Sequence, residues 1–402
     1  MSPYSWREVQ IRHLGTVFAG SDPKSGSSSW GGNTPFVTPV DLRVANGETL
    51  EYTERTVARD GAKKESTLVP TGSVIISVRA PIGYVSIANE EVALGRGCCA
   101  VFPKTTKAEA RYLVYSLMAK RDLLDALGNG STFKGITSEA IKSLKLPIPS
   151  VSEQSRIVRF LNAETAKIDH LITRQQELID LTMSRLQGWR EHAFWGGSTH
   201  PHPFLIPPEG WKVCRNRHIF EHVDGRSETG DEELLSVSHI TGVTPRYMKN
   251  VTMFEAESTV GYKLVAKNDL VINTMWAWMG ALGVSRYEGI VSPAYDVYRI
   301  RDLDAFNPKF FDCMYRTATY VKLMKANSRG IWESRLRLYP EVFLRLSSLV
   351  PPKDIQDRLV GENRKKTAEA DILVERCNKA ISLLQERRSA LITAAVTGQI
   401  EV

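Results

Sequence analysis

The sequence lacks the patterns that mark disulfide-stapled, membrane-spanning and secreted proteins. Its five cysteines are scattered, odd in number and without a Cys-x-x-Cys pair: Cys98, Cys99, Cys214, Cys313 and Cys377. Neither a disulfide framework nor a zinc ribbon is expected, and free thiols fit a reducing cytoplasm. No apolar run approaches the roughly 20 residues that cross a bilayer, and the polar start MSPYSWREVQ has no signal-peptide pattern. We therefore expect a cytoplasmic protein.

Motifs for common catalytic chemistries are also missing. There is no Gly-Lys dipeptide, which excludes a phosphate-cradling P-loop. There is no Glu-x-Lys, and the one Asp-x-Lys, residues 22–24, lies in a Ser/Gly-rich loop, so a metal-dependent nuclease is not predicted. Residues 33–36 (NTPF) lack the second proline of the loop by which amino-methyltransferases grip a flipped base. His218 and His222 have no third ligand, so no catalytic residue and no metal site is predicted.

The chain is long and carries a net positive charge. Its 402 residues, 42% of them hydrophobic, are enough for two buried cores. The net charge is +7 and the pI is near 9.0. A basic balance favours a polyanionic partner such as nucleic acid.

An internal repeat is the main feature of the sequence. Residues 165–171 (TAKIDHL) return as residues 367–373 (TAEADIL), and the same displacement of 202 positions holds on either side. It pairs Pro149 with Pro351, Gln154 with Gln356, Arg156 with Arg358, Asp169 with Asp371, and Gly196 with Gly398. Because the period is about half the chain, each repeated unit is the size of a domain.

Each repeated block predicts a long helix with a heptad seam. A short helix capped by Ser152 precedes one over about residues 165–193. The apolar positions expected in the two seams are Ile168, Leu171, Ile172, Leu178, Ile179, Leu186, Leu373, Val374, Cys377, Ile381, Leu384 and Leu391. Two matched seams in one chain bury each other most simply, and an antiparallel pairing would relate the halves by a pseudo-two-fold axis.

The regions before each helical block differ in sequence but share a strand order. Residues 73–78, 84–87 and 98–102 are predicted strands in the first region, and residues 270–273, 281–284 and 295–300 in the second. A helix follows in each, one capped by Thr106 with Glu109, the other by Asn307 before Pro308. These regions are expected to be α+β domains.

The predicted helix length and the two unlike domains indicate what kind of DNA site the chain would recognise. A helix of about 28 residues is roughly 40 Å long, which corresponds to about 12 base pairs of B-DNA. Two unlike domains held apart by paired helices suit two unlike half-sites about one helical turn apart. The expected target is therefore bipartite and asymmetric.

The chain resembles the specificity subunit of type I restriction-modification systems. Residues 31–42 (GGNTPFVTPVDL), 77–87 (SVRAPIGYVSI) and 130–136 (GSTFKGI) are similar to segments of the target recognition domains of that family. Residues 146–161 (LPIPSVSEQSRIVRFL) resemble the entry into its conserved spacer. The second half departs more, with MWAWMG at 275–280 in place of VRAPIG at 78–83 and a degraded junction at 349–357.

The resemblance implies an α+β fold with two target recognition domains, residues 1–149 and 198–350. These are separated by helical spacers at residues 150–197 and 351–402, which pair as an antiparallel coiled coil. It implies a chain that catalyses nothing, binds double-stranded DNA, and docks two methyltransferase subunits and a restriction/translocase subunit. S-adenosylmethionine, ATP and Mg²⁺ are expected on those partners and no cofactor on this chain.

Candidate DNA-contacting residues are cations and amides in loops near the strands. They are Lys24, Asn33, Arg43, Arg79, Lys134, Arg226, Arg246, Arg329, Arg335 and Arg337. Trp276 and Trp278 are possible stacking groups. Two alternatives stay open: the specificity subunit of a type IIB-like enzyme whose partner fuses methylation and cleavage, and a coiled-coil adaptor that binds two proteins and no DNA.

Overall fold

The computed structural model describes residues 6–128, 135–197, 204–248, 258–330 and 336–402. The chain divides into two compact units. Unit 1 comprises Met1–Gln176 with Asn378–Val402, and unit 2 comprises Glu177–Cys377. Both divisions fall inside long helices, so each unit contains helical segments from both halves of the sequence.

Unit 1 is α+β. Its strands are β1 (Glu8–Gln10), β2 (Gly15–Ala19), β3 (Trp30–Val37), β4 (Thr49–Leu50), β5 (Arg55–Val57), β6 (Thr67–Val69), β7 (Val74–Ser77), β8 (Val85–Ala88), β9 (Val92–Leu94), β10 (Cys98–Pro103) and β11 (Lys145–Pro147). Its helices are α1 (Pro39–Ala45), α2 (Arg59–Glu65), α3 (Ala110–Met118), α4 (Arg121–Gly128), α5 (Ser138–Ser143), the first part of α6 (Val151–Phe194) and the last part of α11 (Lys353–Val396).

Two larger sheets form the body of unit 1. One has the order β2-β10-β7-β8-β4, with only β4 and β8 parallel, and the other has the order β5-β3-β9-β6. The strand β1 pairs with β11 next to the start of α6. Alternating apolar side chains of the central strands, among them Val74, Ile76 and Val101, are fully buried in the core.

Unit 2 repeats this plan with other residues. Its strands are β12 (Lys212–Arg215), β13 (Phe220–Val223), β14 (Leu235–Ser238), β15 (Gly242–Pro245), β16 (Lys263–Val265), β17 (Leu270–Asn273), β18 (Leu282–Val284), β19 (Gly289–Val291), β20 (Tyr295–Ile300) and β21 (Ser347–Val350). Its helices are α7 (Asn216–Ile219), α8 (Pro308–Tyr315), α9 (Ala318–Asn327), α10 (Pro340–Arg345), the last part of α6 and the first part of α11 (Lys353–Val396).

The central sheets of the two units correspond strand by strand. The order β13-β20-β17-β18 in unit 2 matches β2-β10-β7-β8 in unit 1, and the pair β12-β21 matches β1-β11. The six predicted strands are confirmed, two of them, β17 and β20, at the expected bounds. Asn307 caps α8 as expected by accepting the Lys309 N–H at 2.9 Å.

Each long helix is a single element of 44 residues. The expected break before Thr165 is wrong, because the Thr165 hydroxyl donates to the Leu161 carbonyl at 2.7 Å within a continuous helix. The expected cap at Ser152 is also wrong. Ser150 forms the capping box instead: its amide donates to the Glu153 carboxylate at 3.1 Å, and its hydroxyl accepts the Glu153 amide at 3.4 Å. Within the described ranges, no helix has the length and apolarity to cross a membrane.

The two helices run antiparallel within each unit. In unit 1, Leu161 clusters with Ile392, and further along α6 the Asp169 carboxylate accepts from Arg388 Nε at 2.9 Å. Since the α11 numbers fall as the α6 numbers rise, the pairing is antiparallel. In unit 2, Arg190 donates to Asn363 and Thr367, both at 2.8 Å.

The seam positions divide into buried and exposed sets. Ile168, Leu186 and Cys377 are buried. Ile172, Ile179, Leu373, Val374, Ile381, Leu384 and Leu391 are half-buried. Leu171 and Leu178 are 48% and 38% exposed, which corrects their assignment to the seam. The buried stripe continues through the adjacent positions 172 and 179, and a step of one residue turns a side chain by about 100° around a helix.

Two glutamines at matching positions of the repeat, Gln154 and Gln356, have matching roles in the structure. Gln154 is fully buried, donates to the carbonyls of Lys107 and Pro149, and accepts the Glu109 N–H. Because that amide is occupied, the expected capping box of Thr106 with Glu109 is not formed, and α3 begins at Ala110 without a side-chain cap.

Gln356 does the same in unit 2. It is fully buried, donates to the carbonyls of Ala305 and Pro351, and accepts the Asn307 N–H at 2.8 Å. In each unit, therefore, one buried amide side chain fixes the first turn of a long helix to the loop that precedes a domain helix.

Candidate nucleic-acid interface

A basic cleft of about 650 Å³ lies in unit 1. We call it the basic cleft and define it by its charged lining residues, the cations Lys24, Arg55, Arg79 and Arg96 and the single carboxylate Asp22. All four cations are exposed. Because three of their charges are not balanced by a lining carboxylate, the cleft favours a polyanion.

Backbone pairing fixes the position of Arg79. Arg79 forms an antiparallel bridge with Gly135, and its amide and that of Val78 both donate to the Gly97 carbonyl, at 3.3 and 2.8 Å. The residue thus directly follows the central strand β7 and is tied to two further loops. A guanidinium placed in this way can make bidentate contacts to guanine or contact phosphates.

Arg96 is presented by two glycines. A Cβ on Gly95 would lie 2.9 Å from the Val37 carbonyl oxygen, and one on Gly97 would lie 2.6 Å from Pro39 Cγ. Only residues without a side chain allow this close approach of the chain to its neighbours. Asp22 accepts the Arg96 amide at 2.7 Å, and its carboxylate lies 3.7 Å from Arg96 Nε, which joins the two loops of the cleft.

An aromatic wall completes the basic cleft. Trp30 packs edge-on against Phe36 with the ring centroids 4.9 Å apart, and its indole N–H donates to the Lys24 carbonyl at 3.2 Å. The Arg55 guanidinium lies 5.6 Å from the Trp30 ring centroid. Cations beside aromatic faces are a common feature of nucleic-acid-binding surfaces.

The structure brings together only some of the residues predicted for the first domain. Lys24 and Arg79 line the basic cleft, whereas Asn33 on β3 and Arg43 on α1 are exposed but do not line it. Lys134 lies outside the described residues. Sequence reasoning missed Arg55 and Arg96. Arg96 had a usable signal, because it stands between two glycines.

The predicted arginines of unit 2 have different surroundings. Arg226 is held by the Asp224 carboxylate at 3.1 Å and by the Gly261 carbonyl at 3.2 Å. Arg246 lies in a 3₁₀ turn, and its amide donates to the Leu234 carbonyl. Arg329 and Arg337 are exposed. Arg335 lies outside the described residues.

Unit 2 also buries a charged cluster. Lys263 and Asp296 are 5% and 6% exposed and lie 2.8 Å apart, and His222 Nε2 lies 3.2 Å from the same carboxylate oxygen. His218 is on α7 and His222 on β13, so they do not share a helix face. In the part of the chain that the structure describes, no group of three or more His, Cys, Asp or Glu side chains is placed to hold a metal ion.

Comparison with known sequences gives relatives of one kind. Residues 3–180 match the type I restriction modification DNA specificity domain. Over 190 residues the chain is 29% identical to the type I restriction enzyme MjaIX specificity subunit of Methanocaldococcus jannaschii, covering 46% of this chain and 44% of that relative. The chain thus spans less than half of that relative's length. It is 20% identical to the type I restriction enzyme EcoBI specificity subunit of Escherichia coli, covering 98% of this chain and 86% of the relative.

Solved structures share the fold over the whole chain. One, described as the structural basis of complex assembly and conformational transition of the type I R-M system, has a TM-score of 0.74 at 16% identity and covers 100% of both chains. The HsdS subunit from Thermoanaerobacter tengcongensis has a TM-score of 0.52 at 16% identity, with 99% of this chain and 98% of that chain covered.

Proposed function

We propose that the chain is the non-catalytic DNA-specificity subunit of a type I restriction-modification complex, from the premise that residues 3–180 match the type I restriction modification DNA specificity domain. It reads a bipartite, asymmetric DNA site, one half with residues 1–149 and the other with residues 198–350. The helical segments 150–197 and 351–402 are the spacers between these target recognition domains.

The basic cleft is the observation that carries this proposal. Four exposed cations and a half-buried tryptophan, Trp30, line one concave surface of unit 1. The corresponding positions of unit 2 carry different side chains on the same order of strands. Two surfaces of different chemistry on a shared framework support the recognition of two different half-sites.

The partners and cofactors follow from the same proposal. Two methyltransferase subunits dock on the chain and modify the site that it selects, and a restriction/translocase subunit joins the complex. S-adenosylmethionine, ATP and Mg²⁺ are bound by those subunits. The chain itself supplies the sequence recognition.

Methylation mapping tests the proposal directly. Genomic DNA from cells with and without the intact gene is compared base by base, with the partner methyltransferase gene present in both. We expect one asymmetric, interrupted motif to be methylated only when the gene is intact. Identical methylation in the two strains overturns the proposal.

The basic cleft can be tested with three single variants in complex with the methyltransferase partner. Arg79→Ala and Arg96→Ala should each weaken binding to the site by roughly 5- to 150-fold if they contact bases, since such a contact is worth about 1–3 kcal/mol. Arg159→Ala, an exposed arginine of α6 that is not among the candidate contacts, is the matched control. If all three variants bind alike, the cleft is not the reading surface of unit 1.

A base contact and a phosphate contact give different results. Loss of a base contact relaxes discrimination at one position of the first half-site. Loss of a phosphate contact weakens binding to every sequence and lowers the slope of log K against log salt by about one. Measuring each variant on cognate and substituted DNA at several salt concentrations therefore assigns its role.

A further inference from the structure

Unit 2 presents an aromatic pair, one ring exposed and the other half-buried, that the basic cleft of unit 1 does not have. Trp276 and Trp278, which we call the aromatic ledge, lie with their ring centroids 6.1 Å apart and their planes within 17° of parallel. Trp276 is 49% exposed, which is unusual for so large an apolar side chain. Because the Trp276 ring is stacked beside Trp278 and half of the residue is exposed, a flat aromatic surface is available to a ligand.

The aromatic ledge is rigidly held. The Trp276 carbonyl accepts both the Met279 amide at 3.0 Å and the Ala281 amide at 3.1 Å. The Trp278 indole N–H donates to the Met275 carbonyl at 3.0 Å, so its donor is already used. Ala277, between the two tryptophans, is fully buried. Since these contacts hold the ledge in place, little conformational entropy is lost when it binds a ligand.

The close contact of the ledge loop with α9 adds to this rigidity. Gly280 has a φ of 82°, and a Cβ there would lie 3.1 Å from Val321 Cγ2 on α9. The loop therefore turns at a residue without a side chain and packs directly on a helix of the domain core.

One cation lies beside the aromatic ledge, and two more lie on segments joined to its loop. Lys325 Nζ lies 5.6 Å from the Trp278 ring centroid. The Leu338 amide donates to the Thr274 carbonyl at 3.1 Å, which ties the segment carrying Arg337 to the ledge loop. Arg337 in turn exchanges two backbone hydrogen bonds of 2.9 Å with Arg329. An aromatic surface beside Lys325, on a loop joined by backbone hydrogen bonds to the segment of Arg337, fits a stacked base near a phosphate better than an apolar protein partner.

The ledge occupies the position that an arginine has in unit 1. The strand β17 corresponds to β7 in the matching sheet orders, and each is followed directly by the loop in question. In unit 1 that loop presents Arg79 to the basic cleft. In unit 2 it presents an indole face, which offers stacking in place of a charged hydrogen-bond donor.

We infer that Trp276 is a specificity-determining residue of unit 2 that stacks against a base of the second half-site. This inference rests on the proposed function. A flat, half-exposed aromatic surface suits a base partly removed from its stack, as happens most easily at pyrimidine–purine steps. Unit 2 would then read the deformability of such a step, while unit 1 reads base edges with arginine.

The test uses the complete chain in complex with its methyltransferase partner and DNA duplexes that carry 2-aminopurine at successive positions of the second half-site. Trp276→Ala should lower affinity for the cognate site by roughly 5- to 150-fold, the range for loss of one base–aromatic stack. It should also change the 2-aminopurine fluorescence at one position. Trp276→Phe should retain most of the affinity, and Leu303→Ala, which removes another exposed apolar side chain of unit 2, should bind as the unchanged protein does.

The outcomes separate the inference from the proposed function. If the unchanged complex shows no sequence preference, the proposed function fails before any variant is examined. If it prefers one site and Trp276→Ala keeps the same affinity and the same discrimination in the second half-site, the inference is overturned. Loss of methyltransferase co-purification in Trp276→Ala also overturns it, because the ledge would then be a protein contact. Discrimination in the first half-site should stay unchanged in every variant.

Discussion

Replacing Gln154 by leucine should destabilise unit 1 substantially. The Gln154 side chain is fully buried and makes three hydrogen bonds, to the Glu109 amide and to the carbonyls of Lys107 and Pro149, with lengths between 2.9 and 3.0 Å. Leucine has nearly the same volume, so the variant changes hydrogen bonding and leaves no large cavity.

The expected loss of stability follows from the number of buried hydrogen-bonding groups that lose their partner. Each buried donor or acceptor left without a partner costs about 1–3 kcal/mol. Taking about 1 kcal/mol for each of the three gives about 3 kcal/mol. For a unit of about 200 residues, 1 kcal/mol lowers Tm by roughly 2–4 °C, so a decrease of about 6–12 °C is expected.

Scanning calorimetry of the complete chain measures this effect. Gln154→Leu should lower the transition of unit 1, and Gln356→Leu should lower that of unit 2, because Gln356 makes the equivalent three bonds there. Gln187→Leu changes an exposed glutamine of the same long helix and is the control. A shift in Gln154→Leu no larger than in the control would refute the reasoning.

Two further changes probe contacts inside unit 1. Gly97→Ala should weaken binding to the first half-site and lower stability by about 1–3 kcal/mol, because the new Cβ would meet Pro39 Cγ; a variant with unchanged Tm and unchanged affinity would contradict this. Asp169→Arg should cost about 1 kcal/mol by opposing Arg388, measured by thermal unfolding, and the double exchange Asp169→Arg/Arg388→Asp should recover most of the loss. Equal stability of the single and double variants would show that the pair contributes nothing.

The central strands and the long helices could be predicted from the sequence because they depend on local patterns and on the repeat. The strands β17 and β20 were predicted at their observed bounds, since both are short segments rich in strand-forming residues between turn residues. The matched positions Gln154 and Gln356 marked the junctions, although the hydrogen bonds that explain them became evident only in the structure.

The basic cleft was only partly predictable because its residues come together through long-range contacts. Lys24 and Arg79 carried local signals, a Gly-rich loop and a strand end. Arg55 had none: its role depends on a Trp30 ring that is brought near by the pairing of β3 with β5. The same applies to Leu171 and Leu178, whose heptad spacing is regular but whose side of the helix depends on what packs against it.

The two central sheets have the same strand order but different buried residues, and the chemistry of those residues explains why the sequences differ there. Register places Cys99 opposite Ile76 in unit 1, and Asp296 opposite Ile272 at the corresponding position of unit 2. The buried thiol needs no charged partner, whereas the carboxylate is accompanied by Lys263 at 2.8 Å. Removing one member of such a pair leaves an uncompensated buried charge, at a cost of roughly 3–5 kcal/mol. Exchanging Cys99 and Asp296 between the two units would therefore require Lys263 to move as well, although the strand order and the glutamine junctions are the same in both.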